Sequence, residues 1–187
     1  MNLFLDTLSP QNTIILFDNQ RNIIQKYDFC ILWNETTKLI EEFDMFLYNN
    51  NMEYSDLENI VVVNGPGSFT GVRTTVLMIN TINFVIQKNI TSLNYFDLFS
   101  DYPIIKTSSK KDSFIKEKKE SDIMIMENIK ICDFLKKRSI HVVYGDIKWL
   151  YEIEMIQQVD YKSIIKNLVF THKTSISPFY CKKPNIC

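Results

Sequence analysis

Three short apolar runs crowd the first thirty positions: Asn2 to Leu5, Thr13 to Phe17 and Ile23 to Cys30. Polar stretches carrying Pro10 or Asp18-Asn19-Gln20 separate them, and that spacing predicts an antiparallel meander. Leu39, Phe43, Phe46 and Leu47 then recur at helical intervals, which predicts a helix from about Glu35 to Asn50 ending in the Asn49-Asn50-Asn51 run. Ile60 to Val63 is a compact β-branched strand. A strand that follows a crossover helix is expected to lie parallel to an earlier one, so the sheet should be mixed.

Val72, Val76, Ile79, Ile82 and Ile86 mark one face of a helix from about Gly71 to Lys88, while Leu77, Met78, Thr81 and Phe84 lie around a second. A surface helix needs only one apolar stripe. This one is either sandwiched in a core or keeps a face for another chain. From Tyr102 the pattern restarts, with strands expected at Ile104 to Thr107, Ser113 to Lys116, Ile123 to Met126 and His141 to Tyr144. Helices are expected near Ile129 to Arg138 and Tyr161 to Leu168, before an irregular tail from Ser177 to Cys187. The second series echoes the first. The polar stretch Thr107 to Glu120 reads as a mobile hairpin, and the whole as two α/β lobes, residues 1–100 and a smaller 101–187.

Composition narrows the class without naming a chemistry. Hydrophobic residues make up 45% of the 187 and charged ones 23%, with a formal charge of -1, so the chain has the makings of a core and no global field for nucleic acid. The start, Met-Asn-Leu-Phe-Leu-Asp, has no basic leader pattern, and no apolar run approaches the roughly 20 residues of a membrane span, so a cytoplasmic protein is expected. Cys30, Cys132, Cys181 and Cys187 form no C-x-x-C pair, and only His141 and His172 are available to complete a zinc site. Reduced, mostly buried thiols are the expectation, with no metal and no cofactor.

Chemistry-bearing signals concentrate at one place. Of four glycines in the chain, three fall within Asn64-Gly65-Pro66-Gly67-Ser68-Phe69-Thr70-Gly71-Val72-Arg73. Pro66 presets a turn, Gly67 is suited to the positive φ of a type II turn, and Ser68 or Thr70 can cap the following helix. Free backbone N–H groups at such a corner favour anions, but the spacing is neither a P-loop nor a dinucleotide fingerprint. Arg73, a cation near a helix start, opposes the helix dipole, which a local carboxylate, plain solvent exposure, or an anchoring contact to a partner or to the first lobe's own loops would offset. Ser68 lacks the x-G that completes a nucleophile elbow, and no histidine lies near it in sequence, so a hydrolase has no residues here.

The segment from Gly65 to Arg73 resembles, without a gap, the G-R-G-P-G-S-F-T-G-[VL]-R motif of the TsaB (YeaZ) family. Leu5-Asp6-Thr7 resembles that family's opening D-T-S, with Leu8 where its serine stands, and Pro178-Phe179-Tyr180 resembles its closing P-x-Y-L-R, with Cys181 and Lys182 in place of leucine and arginine. The resemblance implies a fold like that of actin, Hsp70 and the sugar kinases, here with a reduced second lobe. It implies a non-catalytic scaffold for the TsaD subunit that places threonylcarbamoyl on a tRNA adenosine, with a TsaE-like ATPase as a further partner and tRNA met only through the complex. On that reading Arg73, Thr74, Leu77, Met78, Thr81 and Phe84 face the partner, Gly65, Pro66, Gly67, Ser68, Phe69, Thr70 and Gly71 form the motif loop, and Asp6 and Thr7 are a vestigial phosphate site. Two alternatives stay open: a reduced kinase or phosphotransferase of the same superfamily, with Gly145-Asp146 as a remnant of its second phosphate motif, and a self-associating protein that uses the same helix face for a homodimer.

Overall fold

The computed structural model describes residues 1–31, 37–147 and 153–182. Strands β1 (Asn2–Asp6), β2 (Asn12–Phe17) and β3 (Ile23–Phe29) form the antiparallel meander. Helix α1 (Lys38–Asn49) then crosses over to β4 (Asn59–Val63), which lies parallel to β1, and α2 (Phe69–Ile86) crosses to β5 (Asn89–Leu93), parallel to β4. The resulting order is β3-β2-β1-β4-β5. Leu3, Phe4 and Leu5 of β1 and Ile60 to Val63 of β4 are fully buried. A strand covered on both faces has no solvent side to alternate toward, which is why both read as unbroken apolar runs. β3, at the edge, exposes Gln25 and Lys26, a charged border that discourages pairing with another chain.

The second sheet repeats the plan. β6 (Ile104–Thr107), β7 (Asp112–Lys116) and β8 (Met124–Glu127) form a meander, α3 (Asn128–Lys137) crosses over, and β9 (Val142–Gly145) and β10 (Glu154–Ile156) add in parallel. Its order, β10-β9-β6-β7-β8, is that of the first sheet read from the other end. It has a small core of its own around Ile105, Ile115, Ile131, Leu135 and Val143. The stretch expected as a mobile hairpin is the β6–β7 ladder, with Phe114 and Ile115 buried.

Helix α4 (Tyr161–Asn167) and the chain after it return to the first sheet. Tyr161, Ile165, Leu168 and Ile176 join its core, Phe170 stacks on Phe17, and Lys173 bridges to Ile90 of β5. That contact covers the edge β5 would otherwise expose. Three expectations shift. α2 starts at Phe69, two residues early, because Ser68 is its cap. β5 and β10 were not foreseen: only Ile90 and Thr91 of β5 are buried, and β10 has three residues. The start of the expected first helix, at Glu35, lies outside the described residues.

Candidate docking face and the cluster between the sheets

At the Gly-rich corner the Ser68 hydroxyl accepts a hydrogen bond from Gly71 N at 3.0 Å, satisfying one of the free amides of the first turn of α2. The expected type II turn is corrected. The positive φ belongs to Gly65, at 137°, not to Gly67, and the Gly65–Pro66 peptide is cis. Gly67 is needed for a different reason, since a β-carbon there would stand 2.9 Å from Leu8 Cδ2 and 3.2 Å from Val72 Cγ2. The corner is held from outside by the tail: Phe179 N donates to Asn64 O at 2.8 Å, Asn64 Nδ2 donates to Ser177 O at 2.8 Å, and the Tyr180 ring lies 5.2 Å from that of Phe69. Three segments singled out separately in the sequence thus meet, the motif loop, the Pro178-Phe179-Tyr180 tail and, through Gly67, the turn carrying Leu8.

Along α2 the structure divides the residues assigned to a partner. Leu77 is 63% exposed and Phe84 84%, with Thr81 and Arg73 exposed on the same helix and Thr74 half-buried. Met78 is a correction: at 6% exposure it packs into the core with Val72, Val76 and Ile79. Val85, 77% exposed and overlooked in the sequence, adds to the open apolar surface. On α1, Ile40, Met45 and Tyr48 are exposed as well, and a groove of about 430 Å³ between Tyr48, Met52 and Ile86 joins the ends of the two helices. Isolated exposed apolar residues are ordinary, whereas several large ones on neighbouring helices make a candidate docking face. Arg73 makes no ion pair with a described residue, and its guanidinium lies 5.9 Å from the Phe69 ring centre.

The flank of α2 beside the open face is sealed by asparagines that periodicity could not single out. Asn80 exchanges two hydrogen bonds with the backbone of Ile176, and Asn83, buried, donates to Lys88 O and Thr174 O while accepting from Lys88 N. Every polar atom of Asn83 is paired, so its burial carries no desolvation penalty left uncompensated.

Asp6 ends β1 in a closed web. Its Oδ1 accepts from Leu8 N (2.8 Å) and Ser9 N (3.1 Å), and its Oδ2 from Ser9 Oγ (2.5 Å) and Tyr161 Oη (2.8 Å). Thr7 pairs its hydroxyl with that of Thr75 on α2. Gly145-Asp146 ends β9, where Gly145 has φ 125° and Asp146 accepts from Thr107 N and Lys106 Nζ. Lys106 carried no signal in the sequence, being a single lysine in a short expected strand just before a lysine-rich polar stretch.

His172 does not approach the motif loop. His172 lies beside Asn89, at the start of β5, whereas the loop leaves the far end of β4 next to Leu93, about 13 Å along the strand. The expectation of mostly buried thiols is corrected too: Cys30 is exposed and Cys132 and Cys181 are half-exposed, all three unpaired, while Cys187 lies outside the described residues.

Against known proteins, the model of the TsaD family, "tRNA N6-adenosine threonylcarbamoyltransferase", matches residues 34–108, from the approach to α1 through β6. No curated protein matches the chain. Among solved structures it is similar to YeaZ from Pseudomonas aeruginosa, with a TM-score of 0.53 and 14% identity over 68% of this chain and 64% of that one, just under two thirds of the YeaZ length. It is also similar to an uncharacterized protein with similarity to peptidase YEAZ from Pseudomonas aeruginosa, with a TM-score of 0.67 and 11% identity over 97% of this chain and 99% of that one. The architecture is of the YeaZ type, the mixed α/β fold shared with actin, Hsp70 and the sugar kinases, as the Gly65 to Arg73 resemblance implied.

Proposed function

We propose that this YeaZ-like chain serves the threonylcarbamoyladenosine modification of tRNA as a non-catalytic scaffold, docking a TsaD-type catalytic subunit on the open face of α2 beside α1. The observation that carries the reading is the set of Leu77, Phe84 and Val85, exposed on a helix that lies inside the segment matched by the TsaD family. Two chains sharing related helices can pair them about a pseudo-twofold axis, each burying the face the other presents. Arg73 and Thr81 lie on the exposed side of the helix, as polar members of that contact, and Thr74 borders it. A TsaE-like ATPase joins the assembly and tRNA is met through the complex, in the cytoplasm. The alternative reading pairs two copies of this chain on the same face.

The test is co-expression with the TsaD-like and TsaE-like proteins of the same organism, followed by size exclusion with and without ATP. A complex that Leu77→Glu or Phe84→Glu abolishes, with the monomer still folded, is the expected result. Association unchanged by both charges would overturn the docking face. A species of twice the mass formed by this chain alone and lost in the same variants would favour the homodimer.

A further inference from the structure

Lys106 is a lysine in an unusual place. It is 5% exposed, on β6 of the second sheet, and its ammonium donates to Asp146 Oδ2 at 2.5 Å. It also donates to the carbonyl of Leu8, in the β1–β2 turn of the first sheet, and stands 4.3 Å from the ring centre of Tyr95. A buried ammonium is stable only when its donors are engaged by acceptors of opposite or partial negative charge, and here a carboxylate, a carbonyl and an aromatic face supply them. Tyr95 is itself fully buried, and its hydroxyl has no hydrogen-bond partner among the described residues. Burial pushes its phenol far up, and the charges of Asp146 and then Asp6 push it further, so both strand-end acids bear on this one spot.

In the kinase-like alternative, a magnesium nucleotide would sit between the strand-end acids Asp6 and Asp146. The residues here do not fit that group. Both oxygens of Asp6 already accept two hydrogen bonds each, which fills the acceptor capacity of a carboxylate. Asp146 has one oxygen on the Thr107 amide and the other on the ammonium. A divalent cation would find Asp6 filled, would have only the second lone pairs of Asp146 to bind, and would meet there the Lys106 ammonium 2.5 Å from Oδ2. We propose that Lys106 is a built-in counter-cation, taking the place of a divalent cation between Asp6 and Asp146 and clasping the β1–β2 turn to the second sheet, so that this chain keeps no site for a magnesium nucleotide there. The proposal is independent of what docks on α2.

The experiment compares the full chain with Lys106→Met and Lys106→Met/Asp146→Asn by thermal unfolding with and without millimolar Mn²⁺ or Mg²⁺, and titrates the wild type with Mg-ATP by calorimetry. The wild type is expected to ignore both cations and to take up no Mg-ATP. Lys106→Met, with the largely covered Asp146 carboxylate left without its counter-charge, should lose roughly 10 °C in Tm and regain part of it in Mn²⁺, and Asp146→Asn should remove that rescue. Mg-ATP binding by the wild type, a Lys106→Met protein as stable as wild type, or one indifferent to cations would each overturn the proposal. Should Lys106→Met yield no soluble protein, the wild-type titration decides: Mg-ATP binding overturns the proposal and its absence upholds it.

Discussion

A β-carbon placed on Gly65 would stand 2.1 Å from the carbonyl oxygen of Phe179, two residues 114 positions apart in the chain. The tail crosses the Gly-rich corner so closely that only hydrogen fits between them. Gly65 also holds φ at 137°, a region closed to other L-residues at ordinary cost.

Gly65→Ala is therefore expected to cost about 3 kcal/mol or more, since it combines backbone strain with a clash against backbone that cannot rotate away. Urea unfolding of wild type and variant measures this. A loss below about 1 kcal/mol would mean that the tail moves aside easily and does not brace the corner.

Neighbouring residues on α2 should behave oppositely. Leu77→Glu places a charge in solvent and should change monomer stability by less than about 0.5 kcal/mol. Met78→Glu drives a carboxylate among Val72, Val76 and Ile79 and should cost more than about 3 kcal/mol, because an unpaired charge in an apolar core has no compensating partner. Thermal melts of the two variants check the pair. Equal losses would mean that Leu77 is buried in solution, and the docking face would have to be redrawn.

The contrast between those two residues also shows what the sequence could and could not reveal. Unbroken apolar runs placed β1, β2 and β4, and the 3.6-residue period placed α1 and α2, because those elements are buried deeply enough for their apolar residues to show. β5 escaped notice because its partners supply its cover: Thr91 and Ile90 bond to Thr171 and Lys173, distant in sequence, and leave it looking polar. Met78 was misplaced because a 100° step per residue cannot tell the edge of a buried stripe from the edge of an exposed one. The Gly-rich corner was legible as a corner, yet its dependence on Phe179 was not, since close approach between backbones leaves no trace except the glycine. Lys106 had no local signature at all.

Cys181 follows the tail onto this corner, and burial raises its thiol to about 11 from the usual value near 9.0. Two units correspond to roughly 100-fold less thiolate at neutral pH, and the thiolate is the form that reacts. Iodoacetamide at pH 8 is expected to modify exposed Cys30 well before Cys181, and Gly65→Ala, by displacing the tail, should accelerate Cys181. Mass spectrometry of a time course reads both. Comparable rates for the two cysteines in the wild type would show that the tail is not held.

The tail is also fastened by an ion pair, and that fastening should depend on acid. Lys182 Nζ lies 2.6 Å from Asp112 Oδ2 on β7, and the hydrogen bond from Lys182, followed by that from Ser109, lowers the Asp112 carboxyl below its ordinary 3.8. A carboxylate whose pKa is lower folded than unfolded stabilises the fold at pH values above the unfolded value, and the contribution disappears as pH falls through the folded one. The stability gap between wild type and Asp112→Asn should accordingly stay constant from pH 7 to about 4 and close below that. Lys182 is nearly half exposed, so solvent screening keeps the gap under about 1 kcal/mol. Urea midpoints at pH 7, 5 and 3 measure it, with Lys182→Met as the matching variant. A gap of the same size at pH 3 as at pH 7 would mean that the Asp112 charge contributes nothing, and that Asn64, Phe179 and the Phe69–Tyr180 ring contact hold the tail to the corner without it.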